Sequence, residues 1–102
     1  MLVTAANEDD LARLGRVVVD ERLAACMTVV PRVRSIYRWQ GDVHDETEAL
    51  GLIKTTYGTL DRLRNRWKEI HSYDVPEFLV LPVSVGLQEY CTWLVESTSD
   101  SA

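Results

Sequence analysis

Cysteine is scarce in this chain, basic residues are outnumbered, and long apolar runs are missing. The only two thiols in 102 residues are Cys26 and Cys91. Two cysteines so far apart make neither a disulfide scaffold nor a spaced zinc motif. Each has apolar neighbours, where a thiol behaves as a small hydrophobe, so a reducing, cytoplasmic setting is expected. Eleven Lys and Arg against sixteen Asp and Glu leave a formal charge of −5, which argues against nucleic-acid binding through clustered basic residues. No apolar run reaches bilayer length, so no membrane partner is expected. No signal peptide is expected, because Leu2-Val3-Thr4-Ala5-Ala6 already reads as structure and has no basic flank. A phosphate-cradling glycine loop and a nucleophile elbow are also absent. A His71–Glu77 acid–base pair is conceivable but specifies no substrate, and the expectation is a protein without catalytic turnover.

What is present is the ordinary composition of a soluble globular protein, with 46% hydrophobic and 26% charged residues, enough for one domain. That domain is expected over residues 1–98, with a short polar tail at 99–102. Leu2–Ala5 reads as a short strand. Asn7 is a good N-cap, and Glu8, Asp9 and Asp10 suit the first turn of a helix, where its dipole favours negative charge. Leu11, Leu14 and Val18 give that helix its apolar stripe, and Gly15 within it implies close approach to a sheet. From Leu23 to Gln40 only Pro31 interrupts a β-compatible run, and Val43–Thr55 can return alongside it. Seventeen extended residues span about 55 Å, whereas a domain of this size is about 35 Å across. The hairpin must project, or bend at Pro31, and a projecting ribbon carrying Tyr37 and Trp39 is expected to pack on another copy of the chain.

Beyond Pro31, Val33, Ser35, Tyr37 and Trp39 alternate with Arg32, Arg34, Ile36 and Arg38. The return strand opens with Asp42, Asp45, Glu46 and Glu48, which predicts cross-strand ion pairs. A second helix carries Leu60, Leu63, Trp67 and Ile70 on one stripe. Phe78–Leu81 reads as a further strand, closed by Pro82. A third helix has Leu87, Tyr90, Cys91, Leu94 and Val95 on a core-facing side, with Trp93 off it and available to an intermolecular surface. The order βαββαβ with a terminal helix predicts a four-stranded antiparallel sheet with two helices on one face. That is a ferredoxin-like α+β sandwich.

The segments Glu21–Cys26, Ser35-Ile36-Tyr37-Arg38-Trp39-Gln40-Gly41, Leu52–Thr55 and Val75-Pro76-Glu77 resemble the CutA family of divalent-cation tolerance proteins. So do Val3-Thr4-Ala5, Trp93-Leu94 and Glu96-Ser97-Thr98, in order and with nearly matching spacing from Leu2 to about Thr98. At His71-Ser72-Tyr73 the family often has proline in the middle position. The resemblance implies a ferredoxin-like protomer in a tight homotrimer, broadly like the PII signalling proteins. It also implies a link to tolerance of copper and other divalent metals.

Two candidate sites emerge, with Tyr37, Trp39 and Trp93 as the expected trimer interface. For a metal, Cys26, His71 and Glu77 are the candidate ligands. The thiolate of Cys26 suits reduced copper, while Met27 next to it points to the opposite strand face. Cys91 reads as packing, and His44 with Asp42, Asp45 and Glu46 as a solvated acid cluster. For a small ligand, Lys54, His71, Tyr73 and Glu77 are expected to converge on a cleft. The alternative for that group is a structural Lys54–Glu77 ion pair flanked by His71 and Tyr73. No cofactor is required; copper or another divalent cation is an optional ligand. Two functions remain open: a metal-binding or metal-responsive trimer in cation tolerance, and a PII-like trimeric sensor or anchor that binds a small molecule or partner protein between its subunits.

Overall fold

A computed structural model describes residues 1–99, so all of the expected polar tail except Ser99 lies outside the described residues. Strand β1 (Leu2–Ala5) leads to helix α1 (Glu8–Asp20), then to the long strands β2 (Cys26–Trp39) and β3 (Asp42–Lys54). A short 3-10 turn at Tyr57–Thr59 precedes helix α2 (Leu60–Ile70), and helix α3 (Gln88–Ser97) comes last. The sheet is antiparallel, in the order β1-β3-β2. The class is α+β.

Local chemistry explains each boundary. The Asn7 side chain accepts the Asp10 N–H at 2.8 Å and starts α1, and three acidic residues occupy its first turn. At the far end Arg22 takes a left-handed φ of 61°, and Leu23 N–H closes back on the Val18 carbonyl. Gln40 and Gly41 both have positive φ, 51° and 86°. Two such residues make the tight turn whose twist matches its flanking strands.

One face of the sheet carries Val3, Ala5, Ala49 and Ile53, packed with Leu11, Leu14 and Val18 of α1 and Leu63 and Trp67 of α2. Close approach accounts for Gly15 and Gly51. A Cβ on Gly15 would lie 2.1 Å from the Met27 terminal methyl, and one on Gly51 would lie 2.7 Å from the Val3 side chain.

The bend expected at Pro31 is a β-bulge. Val30 pairs with Leu50 but Val33 pairs with Glu48, so β2 has one residue more than β3 across Pro31 and Arg32. Side chains alternate faces with period two, and one extra residue exchanges the faces. Before the bulge Met27 and Val29 share a face with Gly51 and Ile53; after it Tyr37 and Trp39 share the opposite one with Glu46 and Glu48.

Two expectations need correction. The fourth strand, Phe78–Leu81, shrinks to a single antiparallel bridge in which Leu2 and Leu79 exchange hydrogen bonds of 2.9 and 3.1 Å. Pro76 and Pro82 bracket the segment and remove donors. The next carbonyl along the edge of β1, that of Thr4, is taken by the His71 side chain. The core-facing side expected of the third helix is not buried within the chain either. No residue of α3 is buried; Leu87 before it is 71% exposed and Val95 is 58% exposed.

Candidate functional site

The face of the sheet away from the helices carries the chemistry. Thr4, Glu46 and Glu48 alternate with core-facing neighbours and therefore open on that side. The bulge brings Tyr37 and Trp39 to the same side. The loop after α2 then crosses the edge of β1 and closes a cavity of about 650 Å³ over this surface, with Tyr73, Asp74, Val75, Pro76 and Glu77 in its wall.

His71 anchors that loop. Its buried ring directs Nε2 at the Thr4 carbonyl, 2.8 Å away, and Nδ1 accepts the Tyr73 backbone N–H at 3.0 Å. A carbonyl accepts and an amide donates, so these partners define a neutral ring protonated at Nε2. Trp67 and Tyr73 pack tilted against the ring, with centroids 5.5 and 4.6 Å away. The histidine thus satisfies an edge carbonyl and fixes the path of the loop.

Two tyrosine–carboxylate pairs line the interior. Tyr73 donates its hydroxyl to Glu48 Oε2 at 2.9 Å, and Tyr37 donates to Glu46 Oε2 at 2.9 Å. Tyr37 also stacks on His44 at 5.3 Å. Glu48 is 8% exposed, an unusual depth for a carboxylate. Burial, then the hydrogen bond and charge of Glu48, raise the Tyr73 phenol well above its usual value. Burial first, and the Glu48 charge second, push the Glu77 carboxyl above the ordinary carboxylate range.

Of the four residues expected in the cleft, His71, Tyr73 and Glu77 belong to this loop, with Tyr73 and Glu77 in the cavity wall. Lys54 does not join them. It stands six residue steps along β3 from Glu48, about 20 Å of extended chain. There Lys54 faces Cys26 across the strand pair, donates to Thr28 Oγ1 at 2.5 Å and lies 3.8 Å from Cys26 Sγ. The alternative Lys54–Glu77 ion pair is therefore not formed.

The three candidate metal ligands do not meet within the chain. Cys26 lies with Lys54, His71 has committed both ring nitrogens, and Glu77 lines the cavity. Among the described residues no group of three or more His, Cys, Asp or Glu is placed to hold a metal ion. Cys26 and Cys91 are both free thiols, half-exposed.

Glu46 and Glu48, expected to pair with arginines across the hairpin, accept from Tyr37 and Tyr73 instead. Arg34 does pair with Asp45 through two short contacts, 2.6 and 2.8 Å, on the other face of the hairpin. The signal for Glu48 was its position directly before the apolar run Ala49–Ile53, an acid where the strand enters the core.

A family model described as CutA1 divalent ion tolerance protein matches residues 1–97. The chain is similar to the Divalent-cation tolerance protein CutA of Thermus thermophilus, 44% identical over 98 residues, covering 96% of this chain and 95% of that one. The solved structure of a Thermus thermophilus divalent cation tolerance protein superposes with a TM-score of 0.92, at 44% identity, over 96% and 95% of the two chains. The crystal structure of rice CutA1 gives a TM-score of 0.92 at 41% identity, over 98% of this chain and 92% of that one.

Proposed function

The chain belongs to the CutA1 family of divalent ion tolerance proteins, and on that premise we propose that it acts without catalytic turnover, as a homotrimer that binds a small ligand in a cleft between its subunits. Its contribution to cation tolerance then runs through that ligand or the assembly, and metal acts indirectly. One observation carries this proposal: the cavity opens onto exposed apolar surface. Ile36, Trp39 and Val75 line the cavity yet are 44–67% exposed, and apolar exposure continues through Leu79, Leu81, Val83, Val85 and Leu87 to Trp93 on α3. A run of exposed apolar side chains along one segment of this kind suits an interface. The outer edge of β2 and the segment before α3, which has no assigned secondary structure, both offer backbone groups for strand pairing. A second copy would bury this surface and wall the cavity. Free thiols at Cys26 and Cys91 suit a reducing compartment such as the cytoplasm.

Thermal-shift screening of small metabolites beside calorimetry with Cu(I), Cu(II) and Zn(II) tests the proposal. A metabolite that raises the melting temperature, with its effect reduced by Glu77→Gln, supports it. Stoichiometric metal binding that requires Cys26, His71 and Glu77, with no metabolite effect, contradicts it.

Direct copper binding is the second reading, and the half-exposed thiol of Cys26 favours it. Thiolate is a soft ligand for reduced copper, but the Lys54 ammonium 3.8 Å away repels an incoming cation. Equal Cu(I) stoichiometry in the native protein and Cys26→Ser would remove Cys26 from any site.

A further inference from the structure

We infer that the cavity beneath the 73–77 loop selects an organic cation, a guanidinium or amine carried on a flat or aliphatic body. The inference rests on the cleft reading above and gives its ligand a chemistry.

Three aromatic side chains, Tyr37, Trp39 and Tyr73, and four carboxylates, Glu46, Glu48, Asp74 and Glu77, line the cavity. None of the lining residues is a lysine, arginine or histidine. The hydroxyls that meet Glu46 and Glu48 are neutral donors, so they leave the negative charge in place. Glu48 decides the matter. The residue is more than nine-tenths buried, one of its oxygens accepts from Tyr73, and the other, to which no described residue donates, still meets open space. Buried carboxylates ordinarily meet a cation or several donors. Glu77 stands in the same wall, its carboxyl raised first by burial and then by the Glu48 charge.

The lining also decides which cation. Calcium and magnesium take about six or more oxygen ligands at roughly 2.0–2.6 Å and zinc about four ligands, and the described residues converge in no group of even three. The cavity, about 650 Å³, falls in the range of about 300–1,000 Å³ that holds small organic ligands. Aromatic faces attract cations and cover the apolar body behind a charged head. An amine or guanidinium supplies the donors that Glu48 and Glu77 lack, and a carboxylate or phosphate would be repelled.

Calorimetric titration of the intact protein with benzamidine, benzamide and benzoate separates charge from shape, because the three are near-isosteres. Benzamidine should bind about tenfold or more tightly than benzamide, the difference expected of a charge-assisted hydrogen bond. Benzoate should not bind, and Glu77→Gln should weaken benzamidine to the level of benzamide. A Glu48→Gln variant, which keeps an acceptor for Tyr73, should do the same. Equal affinity for benzamidine and benzamide, indifference to both substitutions, or no benzamidine binding overturns the inference. Mass measured on the same samples keeps the two proposals apart: a monomer that binds benzamidine contradicts the homotrimer alone. A trimer that refuses benzamidine but falls apart as Glu77→Gln assigns the cavity to a partner's side chain, and also overturns the inference.

Discussion

Gly51 and Gly15 both lie where α1 meets the sheet, but a methyl group added to each meets different neighbours. At Gly51 it strikes the Val3 side chain at 2.7 Å, in a residue with no exposed surface. A β-branched chain cannot swing away, so Gly51→Ala should lower unfolding stability by about 1–3 kcal/mol in denaturant titration. At Gly15 the obstacle is the flexible end of Met27. Its displacement is offset by about 1 kcal/mol of helix propensity, and Gly15→Ala should be much milder. Glu77 gives a pH prediction. Its carboxyl is raised in the fold, so the charged form is disfavoured there relative to the unfolded chain. Stability should therefore rise as pH falls through the raised value towards 4.5, and level off below it. Glu77→Gln should flatten this part of a melting-temperature profile and raise the value at pH 7; an unchanged profile would remove Glu77 as its source. Glu48 was legible only as an acid, because its depth depends on the loop that Tyr73 carries over it.

The hairpin and the first two helices were legible because their signals are local: caps, period and turn glycine. Asn7, the Gln40-Gly41 turn and the Leu63 and Trp67 stripe act within a few residues of where they stand. The exchange of faces at Pro31 was not legible, since proline allows a bend but register is a property of two strands. That single extra residue sends Tyr37 and Trp39 towards the cleft. Leu79 failed as a strand for a similar reason, with His71 already holding the Thr4 carbonyl beside it. Helix α3 shows the limit of periodicity, which identifies an apolar face without saying whose core it joins. Trp93 is 42% exposed on the chain and its ring lies tilted against that of Tyr90, with centroids 5.3 Å apart. An exposed site tolerates substitution within about 0.5 kcal/mol, whereas an aromatic anchor at an interface contributes about 2 kcal/mol or more. Trp93→Ser should produce the larger loss in thermal unfolding, and a change within about 0.5 kcal/mol would place α3 outside any interface.

At the scale of the whole molecule, the chain measures 45 × 27 × 22 Å, elongated along its hairpin. Such a shape leaves much apolar area in water, and assembly is the direct remedy. Folding and association should then be linked by mass action, with apparent melting temperature rising with protein concentration. A constant value across a hundredfold dilution, in samples shown to dissociate over that range, would contradict the linkage. The measurement that tests the central claim most directly is sedimentation equilibrium of the intact chain at micromolar concentration. The account predicts three chain masses, and a shift towards one chain mass for Trp39→Ala at the same concentration. A folded native protein sedimenting as a single chain, with its apolar segment and α3 open to water, would contradict it.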